Sequence, residues 1–260
     1  MASSADQRRT AILAQIAQDQ MLSVTDLSQR FEVSEVSIRR DLDRLAQHGL
    51  LKRVHGGAVA IQDTALNQSY AAKIQRHIEE KECIGRVAAK LIEPGDQLIF
   101  DGSTTALQVA RNIAGDLLSS GNLTVVASSL PIVQELGHWN GVHVILLGGL
   151  YLPEFRSFVG PQTLLHLEGL HLDKAFIGTD GLTLSRGATG SNILEAEVDR
   201  TMAQSASEVI LVADSSKIGQ TGLTSIVPIK DIDKLVTDEG APADFVEALR
   251  EQGIDVILAC

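Results

Sequence analysis

FEVSEVSIRRDLDRLAQHGLLKRVHGGA, residues 31–58, is the stretch whose reading decides the fold. Ser34 stands as N-cap of a helix expected from Glu35 to His48, and Gly49 is placed to end it. Ile38, Leu42 and Leu45 fall at i, i+4 and i+7 and share one face, which packs. Ser37, Arg40 and Arg44 fall on another face with Arg39 beside them. A planar guanidinium fork can grip a phosphate or read both acceptors of a guanine edge, and a helix has the width that the major groove admits. After Gly49, the run Leu50-Leu51-Lys52-Arg53-Val54-His55 reads as a short strand, and Gly56-Gly57 supplies the turn back. Helix, helix, strand, tight turn and strand make a winged helix-turn-helix, whose second helix enters the groove while the wing touches backbone. The expected DNA contacts are Ser34, Glu35 and Ser37 at the helix start, Arg39, Arg40 and Arg44 along it, and Lys52, Arg53 and His55 on the wing. Most Arg-rich amphipathic helices are only solvated surface helices. Here the ordered run of cap, helix, glycine stop, basic strand and glycine turn argues for the reader.

The same residues resemble the N-terminal signature of DeoR-type bacterial transcription regulators, in which a VSxxTIRRDL helix precedes a basic strand ending in HGGA. Ser37 stands where that family usually has Thr, which keeps the hydroxyl.

With 260 residues, 44% of them hydrophobic, the chain can form two domains with a sizeable core. It has no apolar run of about 18 residues, so no membrane span is expected. MASSADQRR lacks the apolar core of a signal peptide, and a cytoplasmic location is expected. Cys83 and Cys260 have no His or Cys neighbours at ligand spacing, so free thiols are expected, with no zinc site and no cofactor. The net charge of −11 is unevenly placed: residues 1–60 carry 8 Lys and Arg against 7 Asp and Glu, and the rest carry 14 against 26. The reader is thus at +1 and the remainder at −12. An acidic body repels DNA, leaving the winged domain to attract it and making affinity fall steeply with salt.

Along the chain, Ala5 to Ala17 reads as the opening helix, with Arg8 and Arg9 on its first turns. Thr25 is expected to cap a short helix from Asp26 to Phe31. Residues 61–77 lose periodicity and read as a linker, so residues 1–60 form the winged domain and 78–260 a second domain. That domain opens with a helix from Ile78 to Leu91, ended by Pro94-Gly95. Short apolar runs follow at Gln97–Phe100, Leu123–Ala127, Val142–Leu147, Lys174–Ile177, Val209–Ala213, Lys234–Thr237 and Asp255–Leu258. Between several of them lie helical patterns at Thr105–Ile113, Leu130–Leu136, Ile193–Ser205 and Ala243–Gln252. The alternation predicts an α/β domain around a mostly parallel, buried sheet.

Ligands of open α/β sheets collect at the carboxyl ends of strands. There the sequence places Asp101-Gly102-Ser103-Thr104-Thr105, Ser128-Ser129, Gly148-Gly149, Gly178-Thr179-Asp180-Gly181 and Asp214-Ser215-Ser216-Lys217. Small residues let a ligand approach the backbone, hydroxyls and carboxylates bind sugar hydroxyls, and Lys217 can neutralise a phosphate. Each alone fits an ordinary capped turn; together they describe a polar pocket for a small phosphorylated polyol. They also resemble the DeoR C-terminal sensor domain, similar in fold to ribose-5-phosphate isomerase and the amino-sugar-phosphate deaminases. That resemblance adds GATGSNILEAE with Asn192 and Glu195, and Val236-Thr237-Asp238. It implies that the hydroxyl loop holds the phosphate while Asp101, Glu195 and Lys217 line the site. Ser128-Ser129 departs from the family's usual Thr-Asn. The full expected set adds Ser128, Gly148, Gly149 and Asp180 to these and to Gly102 through Thr105. Arg156 reads as either a second phosphate contact or a surface charge, with surface charge the favoured reading.

Three functions are open on this reading. The first is a repressor of carbohydrate-metabolism genes that grips double-stranded operator DNA as a homodimer or homotetramer and is released by a phosphorylated sugar or amino sugar. The second is a phosphosugar isomerase or deaminase with an appended DNA-binding domain, using Asp101 or Glu195 as base. The third is an architectural DNA binder without a ligand.

Overall fold

The computed structural model describes residues 8–9, 11–13, 15–16, 21–47, 51–54, 56–59, 70–120 and 122–260. The rest of the expected opening helix, His48, Gly49, His55 and residues 61–69 of the expected linker lie outside them. The chain forms two compact units, Met1–Arg76 and His77–Cys260.

In the first unit, residues 8–9, 11–13 and 15–16 are helical. There follow β1 (Met21–Ser23), α1 (Val24–Phe31), α2 (Glu35–Gln47), β2 (Lys52–Val54), β3 (Gly57–Val59) and α3 (Tyr70–Gln75). The strands make an antiparallel sheet in the order β1-β3-β2, so the wing has one strand more than its sequence suggested. Ile38, Leu42 and Leu45 are buried as their spacing requires, against Ile12, Leu27 and Leu51 among others. Ser23, not Thr25, caps α1. Ser23 lies in the extended conformation that N-caps adopt, and its Oγ accepts the Asp26 N–H at 3.0 Å. Thr25, already inside the helix, donates its hydroxyl to Glu35 Oε1 at 3.3 Å instead. Residues 70–75, expected within the linker, are helical with Tyr70 buried; six residues are too few for a period to show in the sequence.

The second unit opens with α4 (Ile78–Ala88), β4 (Gln97–Phe100), α5 (Thr104–Arg111), α6 (Gly115–Ser119), β5 (Leu123–Ala127), α7 (Leu130–Leu136) and β6 (Val142–Leu146). The hairpin β7 (Leu150–Leu152) and β8 (Ser157–Val159), then α8 (Pro161–Leu167) and β9 (Leu172–Ile177), follow. Last come β10 (Gly181–Thr183), β11 (Gly187–Gly190), α9 (Ile193–Gln204), β12 (Ala206–Val212), β13 (Thr224–Val227), β14 (Lys234–Asp238), α10 (Ala243–Glu251) and β15 (Asp255–Ala259). The main sheet runs β15-β14-β12-β9-β4-β5-β6 with every pairing parallel. These are the seven strands that the apolar runs predicted, and the unit is an α/β fold. The hairpin β7–β8, the small sheet β10-β11-β13 and the short helices α6 and α8 were not legible.

Strand order explains where a site can form. From β4 the chain first builds outward through β5 and β6, then returns to lay β9 on the other side of β4 and continues outward to β15. The gap between the carboxyl ends of β4 and β9 is therefore the switch point of the sheet, where a crevice opens. Below it the two strands are pinned: Phe100 and Phe176 stack with centroids 5.0 Å apart, and at the far end Lys174 Nζ meets Asp96 Oδ2 at 2.7 Å.

The cysteines overturn the expectation of free thiols. Cys83 on α4 and Cys260, next after β15, are joined by a disulfide, with Cα atoms 6.1 Å apart and a sequence separation of 177. Helix α4 packs against β14 and β15, which brings together residues whose sequence distance gave no hint of it.

Candidate functional site

In the first unit the outer side of α2 carries Arg39, Arg40 and Arg44, all exposed, with Ser34 exposed and Ser37 half-buried at its start. Ser34 Oγ accepts the Ser37 N–H at 3.3 Å and lies 3.1 Å from the Ser37 hydroxyl. Arg39 Nη2 donates to Glu35 Oε2 at 2.9 Å, with both side chains well exposed. An exposed pair one turn apart is worth only about 0.3–0.5 kcal/mol, so a phosphate can displace Glu35. Among the described residues nothing pairs with Arg40. On the wing Lys52 is exposed, but Arg53 is held by Asp43 Oδ1 at 2.9 Å and by the Gly57 carbonyl. That fork fastens the wing to α2, so its reach is smaller than its sequence position suggests.

Arg8 and Arg9 serve inside the unit. Arg8 Nε lies 2.6 Å from Asp41 Oδ2 and Arg9 Nη1 3.5 Å from Asp41 Oδ1, with Asp41 buried. Two cations on one buried carboxylate fix how α2 is rolled, and thereby which residues it turns outward. The wing turn needs both glycines for different reasons. Gly56 has φ +79°, a left-handed value, whereas a methyl on Gly57 would meet the Leu22 carbonyl oxygen at 2.1 Å.

In the second unit the ends of β4 and β9 are joined by Asp101. Its Oδ1 accepts the Ser103 N–H at 3.0 Å and its Oδ2 the Gly178 N–H at 2.6 Å. The carboxyl is 2% exposed. Burial raises its pKa above the ordinary 3.8, against the lowering pull of the Ser103 hydroxyl and of the Gly178 and Ser103 N–H groups, while the charge of Asp180 adds to the rise. Ser103 Oγ accepts the Ala106 N–H at 3.1 Å and so caps α5; Thr104 and Thr105 follow it, both buried. Gly102 faces two more polar groups: a methyl there would lie 3.2 Å from Ser157 Cβ and 3.5 Å from Glu195 Oε1. The Ser157 hydroxyl donates to that Glu195 oxygen at 2.9 Å. Asn192 sets the glutamate in place, its Oδ1 capping α9 by accepting the N–H groups of Leu194 and Glu195 at 2.9 and 3.1 Å. Asp180 Oδ2 accepts from the Ser191 hydroxyl at 2.5 Å and from its N–H at 2.9 Å.

Two carboxylates, several hydroxyls and a close-packed glycine backbone thus meet at the switch point, a composition suited to a small, hydroxyl-rich ligand.

Residues 76–239 match the DeoR C terminal sensor domain and residues 8–64 the DeoR-like helix-turn-helix domain. The chain is 33% identical over 254 residues to a putative aga operon transcriptional repressor of Escherichia coli O157:H7, covering 97% of this chain and 93% of that one. The chain belongs to the DeoR family. Over 250 residues it is 34% identical to the transcriptional repressor AccR of Agrobacterium fabrum, covering 96% and 95% of the two chains. It is 32% identical over 253 residues to the HTH-type transcriptional repressor GlcR of Bacillus subtilis, covering 97% and 96%. Among solved structures, ribose 5-phosphate isomerase A from Methanocaldococcus jannaschii is similar over 55% of each chain at 15% identity and a TM-score of 0.41.

This DeoR-family chain is therefore a DNA-binding transcriptional regulator with a sensor domain, and the enzyme reading falls away, because its family and its relatives across nearly their full length are regulators. Among the described residues no helix is long and apolar enough to cross a membrane.

The expected effector residues do not all converge. Asp101, Gly102, Ser103 and Glu195 form one connected cluster, Thr104 and Thr105 continue from it into α5, and Asp180 acts on Asp101 through its charge. Ser128 is buried one step away, its carbonyl accepting the Phe158 N–H at 2.9 Å. Gly148 and Gly149 instead pack against α8: the Thr163 hydroxyl donates to the Gly148 carbonyl at 2.9 Å, and a methyl on Gly149 would lie 2.2 Å from Thr163 Oγ1. Lys217 ends a half-buried turn after β12, beside Ser215, whose N–H donates to Asp238 Oδ1 at 2.6 Å. The cluster also holds Ser157 and Gly178, neither in the expected set. Gly178 was visible as a strand-end glycine; Ser157 was not, because it arrives on the unforeseen hairpin β7–β8.

Proposed function

We propose that this regulator represses carbohydrate-metabolism genes by gripping an operator through its winged unit, and that a phosphorylated sugar or amino sugar at the β4–β9 switch point releases it. The observation that carries the reading is the Asp101–Gly102–Ser103 loop facing Ser157 and Glu195: carboxylates and hydroxyls for a polyol beside a capped helix start. Lys217 is assigned to the phosphate as a point charge, with Ser128 and Asp180 shaping the remainder of the pocket, while Gly148 and Gly149 hold the loop after β6 against α8. The names of the relatives support repression, and that of the Escherichia coli protein ties it to an operon. Arg40 and Arg44 are assigned to the major groove, with Ser34, Ser37, Arg39 and Lys52 at the backbone. The reader spans residues 1–60, the sensor 78–260 and the linker 61–77, and the protein acts in the cytoplasm. Homodimers or homotetramers bring two readers to a repeated half-site.

Release requires the ligand to bind the DNA-competent and DNA-incompetent arrangements with different affinity, since equal affinity shifts nothing. The test is fluorescence anisotropy of the chain on its own promoter region, titrated with a panel of sugar and amino-sugar phosphates and their unphosphorylated counterparts. One phosphorylated member should release the protein at concentrations where its free sugar does not. Binding to the promoter that no member of the panel weakens would refute the effector assignment, and failure to bind it at all would refute the operator.

A further inference from the structure

The disulfide between Cys83 and Cys260 is used by neither the DNA reader nor the effector cluster. Cys83 is on the buried face of α4, 3% exposed, whereas Cys260 follows an edge strand and is exposed. The Arg86 guanidinium, one turn along α4 from Cys83, donates through Nη2 to Cys260 Sγ across 3.7 Å. A cation at that distance favours thiolate over thiol, and an accessible thiolate is the form that peroxides oxidise. A DNA-binding regulator works where the chromosome is, a compartment in which thiols are held reduced and bridges are mostly transient and redox-sensing. One reachable sulfur beside a cation and one buried sulfur within bonding distance are the two parts that sulfenate-to-disulfide chemistry needs. The bond they make bolts α4 down. That helix backs onto α5 at Gly85, where a methyl would lie 2.6 Å from the Gln108 backbone.

We propose that Cys260 is a site of oxidation by hydroperoxides and that Cys83 resolves the product to the disulfide. The Cys260 thiolate attacks a peroxide oxygen; an S–O bond forms, the O–O bond breaks, and the departing alkoxide or hydroxide takes a proton from solvent. Cys83 then attacks the sulfenic sulfur: S–S forms, S–O breaks, and the leaving hydroxide departs as water with the Cys83 proton. Two thiols lose two electrons, and the hydroperoxide is reduced to an alcohol, or water, plus one water. A reducing dithiol reverses the bond.

To test this, the full chain is reduced, freed of reductant and given one equivalent of hydrogen peroxide at pH 7, and its thiols are counted with a maleimide mass tag. The wild type should lose both tags together. Cys83→Ser should trap a dimedone adduct on Cys260, and Cys260→Ser should leave Cys83 a thiol. If Cys83→Ser does not fold, dimedone added to wild type during the reaction, with peptide mapping, reads the same assignment. Arg86→Gln should slow oxidation roughly threefold at pH 7, because about a tenfold loss of thiolate is offset by about threefold higher nucleophilicity of the more basic sulfur. The lag should vanish well above the ordinary thiol pKa of about 8.5, where either sulfur is ionised. Three results overturn the proposal: dimedone on Cys83 in place of Cys260, an Arg86→Gln variant as fast as wild type at pH 7, or a bridge that a glutathione buffer of cytosolic composition leaves intact.

Discussion

Gly178→Ala puts the β4–β9 junction under direct strain. An added methyl would sit 2.4 Å from Ser103 Cβ, 2.5 Å from Ser103 Oγ and 3.3 Å from Asp101 Oδ2. The hydroxyl could rotate away, but Cβ cannot, so the backbone of the loop or of β9 has to move. Overpacking of this kind costs about 1–3 kcal/mol. Displacing Ser103 also weakens the cap of α5, worth about 1 kcal/mol. Against this, alanine stiffens the unfolded chain and returns about 0.4–1 kcal/mol. The net expectation is a loss of about 1–3.5 kcal/mol, or roughly 2–14 °C for a unit of this size. Gly148→Ala is the control, since its methyl would meet nothing nearer than His166 Cε1 at 3.8 Å and should leave stability unchanged or slightly raised. Calorimetry of the full chain, following the transition of the larger unit, reads both variants. A Gly178→Ala protein melting within a degree of wild type, or a Gly148→Ala protein falling as far, would refute the packing at the junction.

Three further variants probe the reader, the buried carboxyl and the lysine. Arg40→Ala should weaken operator binding by roughly 1–3 kcal/mol if the fork reads a base, with sensor melting unaltered; unchanged affinity in anisotropy removes Arg40 from the interface. Asp101 binds its proton more tightly folded than unfolded, so from its ordinary 3.8 upward to its raised folded value the native state holds the extra proton and stability falls as pH rises. Urea unfolding from pH 4 to 8 should therefore show wild type losing stability relative to Asp101→Asn with rising pH, and a difference that is flat or grows in favour of wild type contradicts the direction. Lys217→Ala should bind operator normally yet resist release by the effector, and ordinary release in that variant places the phosphate elsewhere.

What the sequence made legible follows the length and repetition of each signal. All seven strands of the main sheet stood out as short apolar runs, the inner ones because a strand buried on both faces is a continuous apolar run, and the packed face of α2 stood out because thirteen residues span enough turns for a period to repeat. The three-residue strands β7, β8 and β10 leave no such pattern and went unseen, and with β8 went Ser157. Pairing is equally silent. Nothing in the neighbourhood of Arg8, Arg53 or Cys83 names Asp41, Asp43 or Cys260 as its partner, because topology and not spacing brings them together. The glycine-hydroxyl loop after β4 was readable as chemistry, but the role of Asp101 as the clasp between two strands required knowing that β9 returns to lie beside β4.

That return sets the order in which the molecule can become functional as it is made. The core of the first unit draws on residues 12 to 58, so it is complete in the chain soon after the wing. Asp101, by contrast, has no partner for its second oxygen until Gly178 has been synthesised, 77 residues later. A growing or prematurely ended chain therefore holds a finished reader long before it holds a closed sensor. Nonsense mutations falling between the two should yield fragments that still occupy DNA and ignore every metabolite, a dominant phenotype quite unlike simple loss of the gene.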